Sequence, residues 1–138
     1  MDNEIKRKKL KRDDLVYPEL SYDIIGCAYE VMNKLGGGHP EKVYQKGLSI
    51  EFSNKKLSFE EQLYAPIFYD GIVIEKSFLD FFVEEKVIVE IKKNTRFSKA
   101  HIDQVNRYLK STGAKLALLI NFSGDDIVFK RLVNITSG

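Results

Sequence analysis

Two acidic side chains and one lysine stand inside strand-like apolar segments. Asp80 lies within the run 78–83, and Glu90 and Lys92 lie within the run 87–92. Carboxylates are hard oxygen ligands that suit Mg²⁺ or Mn²⁺, and a lysine supplies a compact positive charge. Such ions usually keep several waters and take only one or two protein carboxylates together with a substrate phosphate. These residue types therefore suit a divalent metal site.

A hairpin would bring the two carboxylates together. If residues 84–86 form a three-residue loop, Val83 lies opposite Val87 and Asp80 lies opposite Glu90. Opposed carboxylates, with β-carbons about 5 Å apart, repel each other unless a cation or a shared proton lies between them. A divalent metal is the simplest remedy.

Strand alternation predicts which side chains share a face of this hairpin. One face carries Asp80, Glu90 and Lys92 with Phe78, Phe82 and Ile88, and the other carries Leu79, Phe81, Val87, Val89 and Ile91. Both faces are largely apolar, so the hairpin is expected to be covered on both sides.

A structural interpretation of the same residues stays open. Glu-x-Lys occurs three times, beginning at Glu4, Glu84 and Glu90. Only the third lies in an apolar strand with an aspartate opposite it. In the structural alternative, an edge hairpin carries a salt bridge from Glu90 to Lys92.

The rest of the pattern predicts a mixed α/β (α+β) domain. Apolar spacing predicts a helix from Pro18 to the stop at Gly36–Gly38, a second from Pro40 to about Lys55, and a third that is capped by Ser98 and stops at Thr112–Gly113. The predicted strands are 59–64, 66–69, 72–74, 78–83, 87–92, 115–122 and 127–133. The most apolar strand, 115–122, is expected at the centre of the sheet.

Composition limits the class of protein. The 138 residues are 43% hydrophobic and 30% charged, enough for one domain over 17–138 that follows a basic tail, 1–16, expected to be disordered. Residues 1–12 carry six basic and two acidic side chains, a charge of +4, so the remaining residues sum to −2 of the net +2. A broadly basic surface that binds nucleic acid by charge alone is thereby excluded.

The compartment is expected to be cytoplasmic. Cys27 is the single cysteine, and a free thiol that is expected to be buried among apolar neighbours indicates a reducing environment. The longest apolar runs fall well short of the roughly 18 residues that cross a bilayer. The basic start does not resemble a secretory signal, because Asp13 and Asp14 follow it. No membrane contact is expected.

Three motifs in this sequence resemble those of a known superfamily. One motif resembles the signature of PD-(D/E)-x-K nucleases. It consists of Asp80 and, after nine intervening residues, Glu90-Ile91-Lys92, with Leu79 in the place of the optional proline. The segment from Gly38 through Glu41 to Tyr44 fits G-x-x-E-x-x-Y, the motif of the GxxExxY family within that superfamily. Gln104 and Tyr108 fit the Q-x-x-x-Y motif of RecB-type nucleases. The resemblance spans residues 20–133.

This resemblance implies a restriction-endonuclease-like core, a central mixed sheet flanked by helices. It implies that Glu41, Asp80 and Glu90 hold Mg²⁺ or Mn²⁺, together with the backbone carbonyl of Ile91. Lys92 would position the attacking water or steady the developing charge. The remaining motif residues, Tyr44, Gln104 and Tyr108, would orient substrate or the groups around the metal.

The implied function is a metal-dependent nuclease that hydrolyses phosphodiester bonds of nucleic acid, with DNA favoured. The alternative is a nuclease-fold module with little or no turnover that binds nucleic acid or another protein. A homodimer or a partner protein is left open as a source of substrate contacts, because the folded part is slightly acidic.

Overall fold

The computed structural model describes residues 16–93 and 96–134. Its helices are α1 (Pro18–Leu35), α2 (Glu41–Asn54) and α3 (Lys99–Thr112). Its strands are β1 (Phe59–Tyr64), β2 (Ile67–Tyr69), β3 (Ile72–Glu75), β4 (Phe78–Val83), β5 (Val87–Lys92), β6 (Leu116–Ser123) and β7 (Asp126–Val133). Apart from Val16, the tail predicted over 1–16 lies outside the described residues.

Five strands form one mixed sheet in the order β1-β4-β5-β6-β7. Strands β5 and β6 run parallel, and the other neighbours are antiparallel. Apolar side chains of α1 and α2 pack with one face of the sheet, and those of α3 pack with the other. The predicted α+β class, with a mixed sheet flanked by helices, is confirmed.

The helix ends follow the predicted signals. Helix α1 begins with Pro18 in its first turn and ends at Gly36, whose φ of 74° disfavours other residues. Helix α3 is capped by Ser98, whose hydroxyl accepts a 3.1 Å hydrogen bond from the backbone N–H of His101. It ends at Gly113, with φ 76°. These caps fix where each helix meets the sheet.

The strand at the centre of the sheet is β5, and the prediction that 115–122 would be central was wrong. Strand β6 is internal, because it pairs with β5 on one side and β7 on the other, and this explains its unbroken burial. Strand β5 is less apolar because Glu90 and Lys92 interrupt it. Apolarity therefore identified β6 as a strand with two neighbours, but it did not identify β5, which carries Glu90 and Lys92, as the middle strand.

The predicted face assignment was wrong at Leu79. Alternation would place Leu79 with Phe81, but Leu79 packs in the cluster around α3 and Phe81 packs in the opposite one. Asp80 lies between them, and across from it in β1 Gln62 has a φ of 51°, which breaks the regular pleat. The other predicted members of that face, Val87, Val89 and Ile91, do lie together with Phe81.

Strands β2 and β3 form a separate two-stranded sheet. The turn that joins them, at Asp70 and Gly71, has φ values of 52° and 78°, the positive values that such tight hairpin turns need. Large apolar side chains that are exposed on this hairpin are Phe68, Tyr69, Ile72, Val73 and Ile74. The hairpin therefore presents an apolar surface that the sheet and helices do not cover.

The predicted burial of Cys27 is confirmed. Its side chain is 2% exposed, and its Sγ lies 3.6 Å from the carbonyl oxygen of Glu51. Burial, with the nearby Glu51 charge, raises the pKa of this thiol to about 11, so the thiol stays protonated and unreactive. Among the described residues, no helix combines the length and apolarity that crossing a membrane requires.

Two glycine substitutions test how the α1–α2 loop is held. A β-carbon on Gly37 would lie 1.9 Å from the carbonyl oxygen of Gly124 in the β6–β7 turn, whereas one on Gly26, within α1, would meet nothing within 4 Å. We expect Gly37→Ala to lower the free energy of unfolding by about 1–3 kcal/mol, because two backbones must separate. Gly26→Ala should raise it by about 1 kcal/mol. Urea unfolding measures both, and a Gly37→Ala protein as stable as the wild type would contradict the close approach.

Candidate active site

Asp80 and Glu90 meet between strands β4 and β5. The ladder pairs Phe81 with Val89 and Val83 with Val87, which confirms the predicted register up to Phe81; the predicted pair of Asp80 with Glu90 lies beyond the ladder. At the next position, the backbone N–H of Asp80 donates to Glu90 Oε2 at 2.6 Å. In return, the backbone N–H of Ile91 donates to Asp80 Oδ2 at 2.9 Å. The two carboxylates thus accept backbone donors across the strand pair, and each is bound to the other's strand.

This arrangement buries negative charge inside the sheet. Glu90 is only 3% exposed, and Asp80 is partly buried. Burial, followed by repulsion from Asp80, raises the pKa of Glu90 to about 8, against the opposing effects of its hydrogen bond and of Lys92. Burial also raises the pKa of Asp80. Ionisation of both groups together is therefore disfavoured when no cation is bound, because two adjacent carboxylates in a site with little solvent repel each other.

Lys92 supplies the positive charge at this site. It ends β5 and is partly buried, and its charge lowers the pKa values of Glu41, Asp80 and Glu90. Within residues 16–93 and 96–134, none of the salt bridges within 4.0 Å includes Lys92. The structural alternative is therefore wrong on two counts: the hairpin lies inside the sheet between β1 and β6, and Glu90 and Lys92 form no salt bridge.

Glu41 lies at the rim of the site. It is the first residue of α2, and the residue as a whole is exposed. Partial loss of solvent around its carboxylate raises its pKa, and the charge of Lys92 lowers it. In the described part of the chain, no three acidic, histidine or cysteine side chains are grouped closely enough to hold one metal. The structure thus joins two of the three predicted carboxylates and leaves the third beside them.

The segment from Gly38 to Tyr44 positions Glu41. Gly38 has a φ of 88°, which favours glycine. The Tyr44 hydroxyl donates to the carbonyl oxygen of Gly36 at 2.8 Å and accepts from the N–H of His39 at 3.2 Å. The Tyr44 ring is fully buried and stacks on Phe122 at 4.6 Å between centroids. The tyrosine therefore holds the loop that leads into α2, and its role relative to substrate or metal stays a prediction.

Tyr108 and Gln104 connect α3 to the start of β4. The Tyr108 hydroxyl donates to the carbonyl oxygen of Phe78 at 3.2 Å and lies 2.5 Å from Ser77 Oγ. Gln104 Nε2 donates to the same hydroxyl at 3.3 Å. Burial raises the pKa of Tyr108, and the charges of Glu90 and Asp80 raise it further, which places the ring near the carboxylates. These contacts fix the strand segment that precedes Asp80.

Two residues at the site were not predicted. Gln62 Nε2 donates to Asp80 Oδ1 at 3.3 Å, and nothing in the sequence of β1 distinguishes Gln62 from an ordinary polar strand residue. His101 is partly buried on α3, and burial, followed by the Lys92 charge, lowers the pKa of its ring. Its ring Nδ1 is 3.4 Å from the backbone N of Ser98, so the ring completes the cap of α3.

Comparison with known proteins identifies a superfamily. A model described as "PD-(D/E)XK nuclease superfamily" matches residues 18–132. No curated protein matches the chain. Among solved structures, the chain is similar to the one titled "Crystal structure of SSO0001", with a TM-score of 0.52 and 20% identity. That match covers 67% of this chain and 50% of the other, so the chain spans half of that relative's length. At this identity the likeness shows a shared fold alone.

The buried carboxylate pair predicts a pH dependence of stability. The pKa of Glu90 rises from 4.5 to about 8 on folding, so the folded protein binds the proton more tightly than the unfolded chain does. The stabilisation is complete below about pH 4.5 and is lost as the pH rises through about 8. We expect Glu90→Gln to flatten this decline, because the amide accepts the Asp80 N–H without titrating.

Urea unfolding of both proteins in EDTA between these limits measures the effect. One proton corresponds to at most about 1.4 kcal/mol per pH unit. Parallel stability curves for wild type and Glu90→Gln would show that the carboxylate is not held protonated in the fold.

Proposed function

Because the chain belongs to the PD-(D/E)XK nuclease superfamily, we propose that it is a metal-dependent nuclease whose reactive centre is Asp80, Glu90 and Lys92. The observation that carries the proposal is the pair of adjacent carboxylates, Glu90 buried and Asp80 partly buried, that each accept a backbone N–H from the other's strand inside the sheet. A structural role alone does not account for two adjacent like charges at such depth. We propose nucleic acid, with DNA favoured, as the substrate.

The residues present suit Mg²⁺ or Mn²⁺. Such ions commonly take one or two protein carboxylates and complete their coordination with waters and substrate phosphate. Asp80 Oδ2 and Glu90 Oε2 each accept a backbone N–H, so Asp80 Oδ1 and Glu90 Oε1 are the oxygens proposed to bind an ion. Asp80 Oδ1 also accepts the Gln62 amide at 3.3 Å, so the ion would share that oxygen with Gln62 or displace its amide. The Ile91 carbonyl and Glu41 are the proposed further ligands. When bound, the ion would neutralise phosphate charge and lower the pKa of a water.

The other motif residues have separate proposed roles. The Lys92 ammonium would donate hydrogen bonds to the attacking water or to the phosphoryl oxygen on which charge develops. Tyr44 and Tyr108 hold the α2 and β4 segments that carry Glu41 and Asp80. Each residue of the G-x-x-E-x-x-Y motif has a structural explanation: Gly38 is left-handed, Glu41 lies at the rim of the site, and Tyr44 holds the loop. These explanations support our assignment to the GxxExxY family.

A second candidate function is protein interaction with little turnover. The observation in its favour is the β2–β3 hairpin, whose Phe68, Tyr69 and Ile72 side chains are 61%, 68% and 66% exposed. Exposed apolar groups of this size mark interaction surfaces. A homodimer or a partner protein could use this hairpin whether or not the protein is a nuclease. The two candidate functions therefore differ in whether catalysis depends on the carboxylates and Lys92.

Substitution of Lys92 separates the two candidates. We expect Lys92→Ala to lower the rate of cleavage of labelled DNA by about 10²–10³-fold, the usual effect of removing one preorganised electrostatic contact. The unfolding midpoint should change little, because Lys92 forms no salt bridge with the described residues.

The matched control is Lys130→Ala, which removes the same charge from an exposed position on β7 and should cleave at the wild-type rate. If Lys92→Ala cleaved as fast as wild type, the assigned role would be wrong. If wild type cleaved neither DNA nor RNA with Mg²⁺ or Mn²⁺, the interaction function would be favoured.

A further inference from the structure

A cavity lies between α2 and β1, next to the carboxylate pair. Its volume is about 450 Å³, and it is lined by Lys42, Gln45, Lys46, Glu61 and Gln62. Gln62 belongs to both places, because its amide also donates to Asp80 Oδ1 at 3.3 Å. Lys42 follows Glu41 directly at the start of α2. The cavity therefore opens beside the atoms that are proposed to react.

Two lysines line this cavity, and neither forms a salt bridge with Glu61, the acidic residue of its wall. Lys42 and Lys46 are one helical turn apart on α2, where like charges repel. Both are exposed, and among the described residues neither has a salt bridge within 4.0 Å. The acidic wall residue, Glu61, instead accepts a 3.2 Å hydrogen bond from Ser49. An anion in the cavity would relieve the repulsion between the two ammonium groups.

Gln62 has an unusual backbone for a strand residue. Its φ of 51° lies in the left-handed region, which is uncommon for residues other than glycine. Strand β1 pairs with β4 on both sides of it, Glu61 with Phe81 and Leu63 with Leu79, so the irregularity is confined to this position. Local backbone strain of this kind concentrates at functional sites. With this backbone conformation, the Gln62 side chain contacts Asp80 and also lines the cavity.

We propose that this cavity holds the phosphodiester backbone of the substrate strand beside the bond that is cleaved, with Lys42 and Lys46 contacting its phosphates. The inference rests on the proposed nuclease function and adds the residues that bind the strand. Since the chain beyond residue 12 has a net charge of −2, contact with a polyanion must be local, and these lysines flank the site where it is needed.

The test compares two double variants that remove the same charge. Lys42→Ala/Lys46→Ala alters the cavity, and Lys86→Ala/Lys115→Ala alters the opposite end of the sheet, where Val87 pairs with Leu116. Binding of a fluorescein-labelled single-stranded DNA oligonucleotide is followed by anisotropy with Ca²⁺ between 50 and 200 mM salt, and a gel confirms that the oligonucleotide is intact. Alanine favours helix, so circular dichroism should show α2 retained.

We expect the cavity variant to bind about tenfold more weakly at the lowest salt concentration. Its slope of log affinity against log salt should fall by about 1.4, because each lost phosphate contact on a single strand is worth about 0.7. The control variant should bind as wild type does.

Equal losses in both double variants, or wild-type binding by the cavity variant, would overturn the inference while leaving the nuclease function standing, provided that wild type still cleaves and Lys92→Ala does not. If wild type did not bind the oligonucleotide, the inference would fail, and if it also cleaved neither DNA nor RNA with Mg²⁺ or Mn²⁺, the proposed function would fail with it.

Discussion

The structure depends on the reciprocal hydrogen bonds by which Asp80 and Glu90 each accept a backbone N–H from the other's strand. Two buried carboxylates would push β4 and β5 apart, and only strands fixed by packing on both faces can hold them. The cores around α1 and α2 on one face and α3 on the other supply that packing. The site therefore consists of two ionisable carboxylates that a well-packed apolar sheet holds in place.

The residues around this pair place it and adjust its charge. Tyr44 fixes the loop before Glu41, and Tyr108 fixes the strand segment before Asp80. Lys92 is the nearby cation that favours the ionised acids. The motif residues lie on four different elements, α2, β4, β5 and α3, so segments far apart in the chain contribute to the site.

Local rules predicted much of this arrangement. The three-residue loop set the register of β4 and β5, and the positions of the helices followed from capping and glycine signals. Three features could not be predicted from the sequence because they depend on tertiary packing. Leu79 changed faces at the irregularity beside Asp80, β5 displaced the more apolar β6 from the centre, and the strained backbone of Gln62 has no sequence signal.

The most direct test of the central claim is a titration of Mn²⁺ into the protein without nucleic acid, with free metal followed by electron paramagnetic resonance. Wild type and Glu90→Ala are compared with Glu85→Ala, which removes an exposed carboxylate at the turn between β4 and β5. If the Asp80–Glu90 pair is a metal centre, wild type and Glu85→Ala will bind Mn²⁺ saturably and Glu90→Ala will not. Equal binding by all three proteins, or no binding by wild type at millimolar metal, would contradict it.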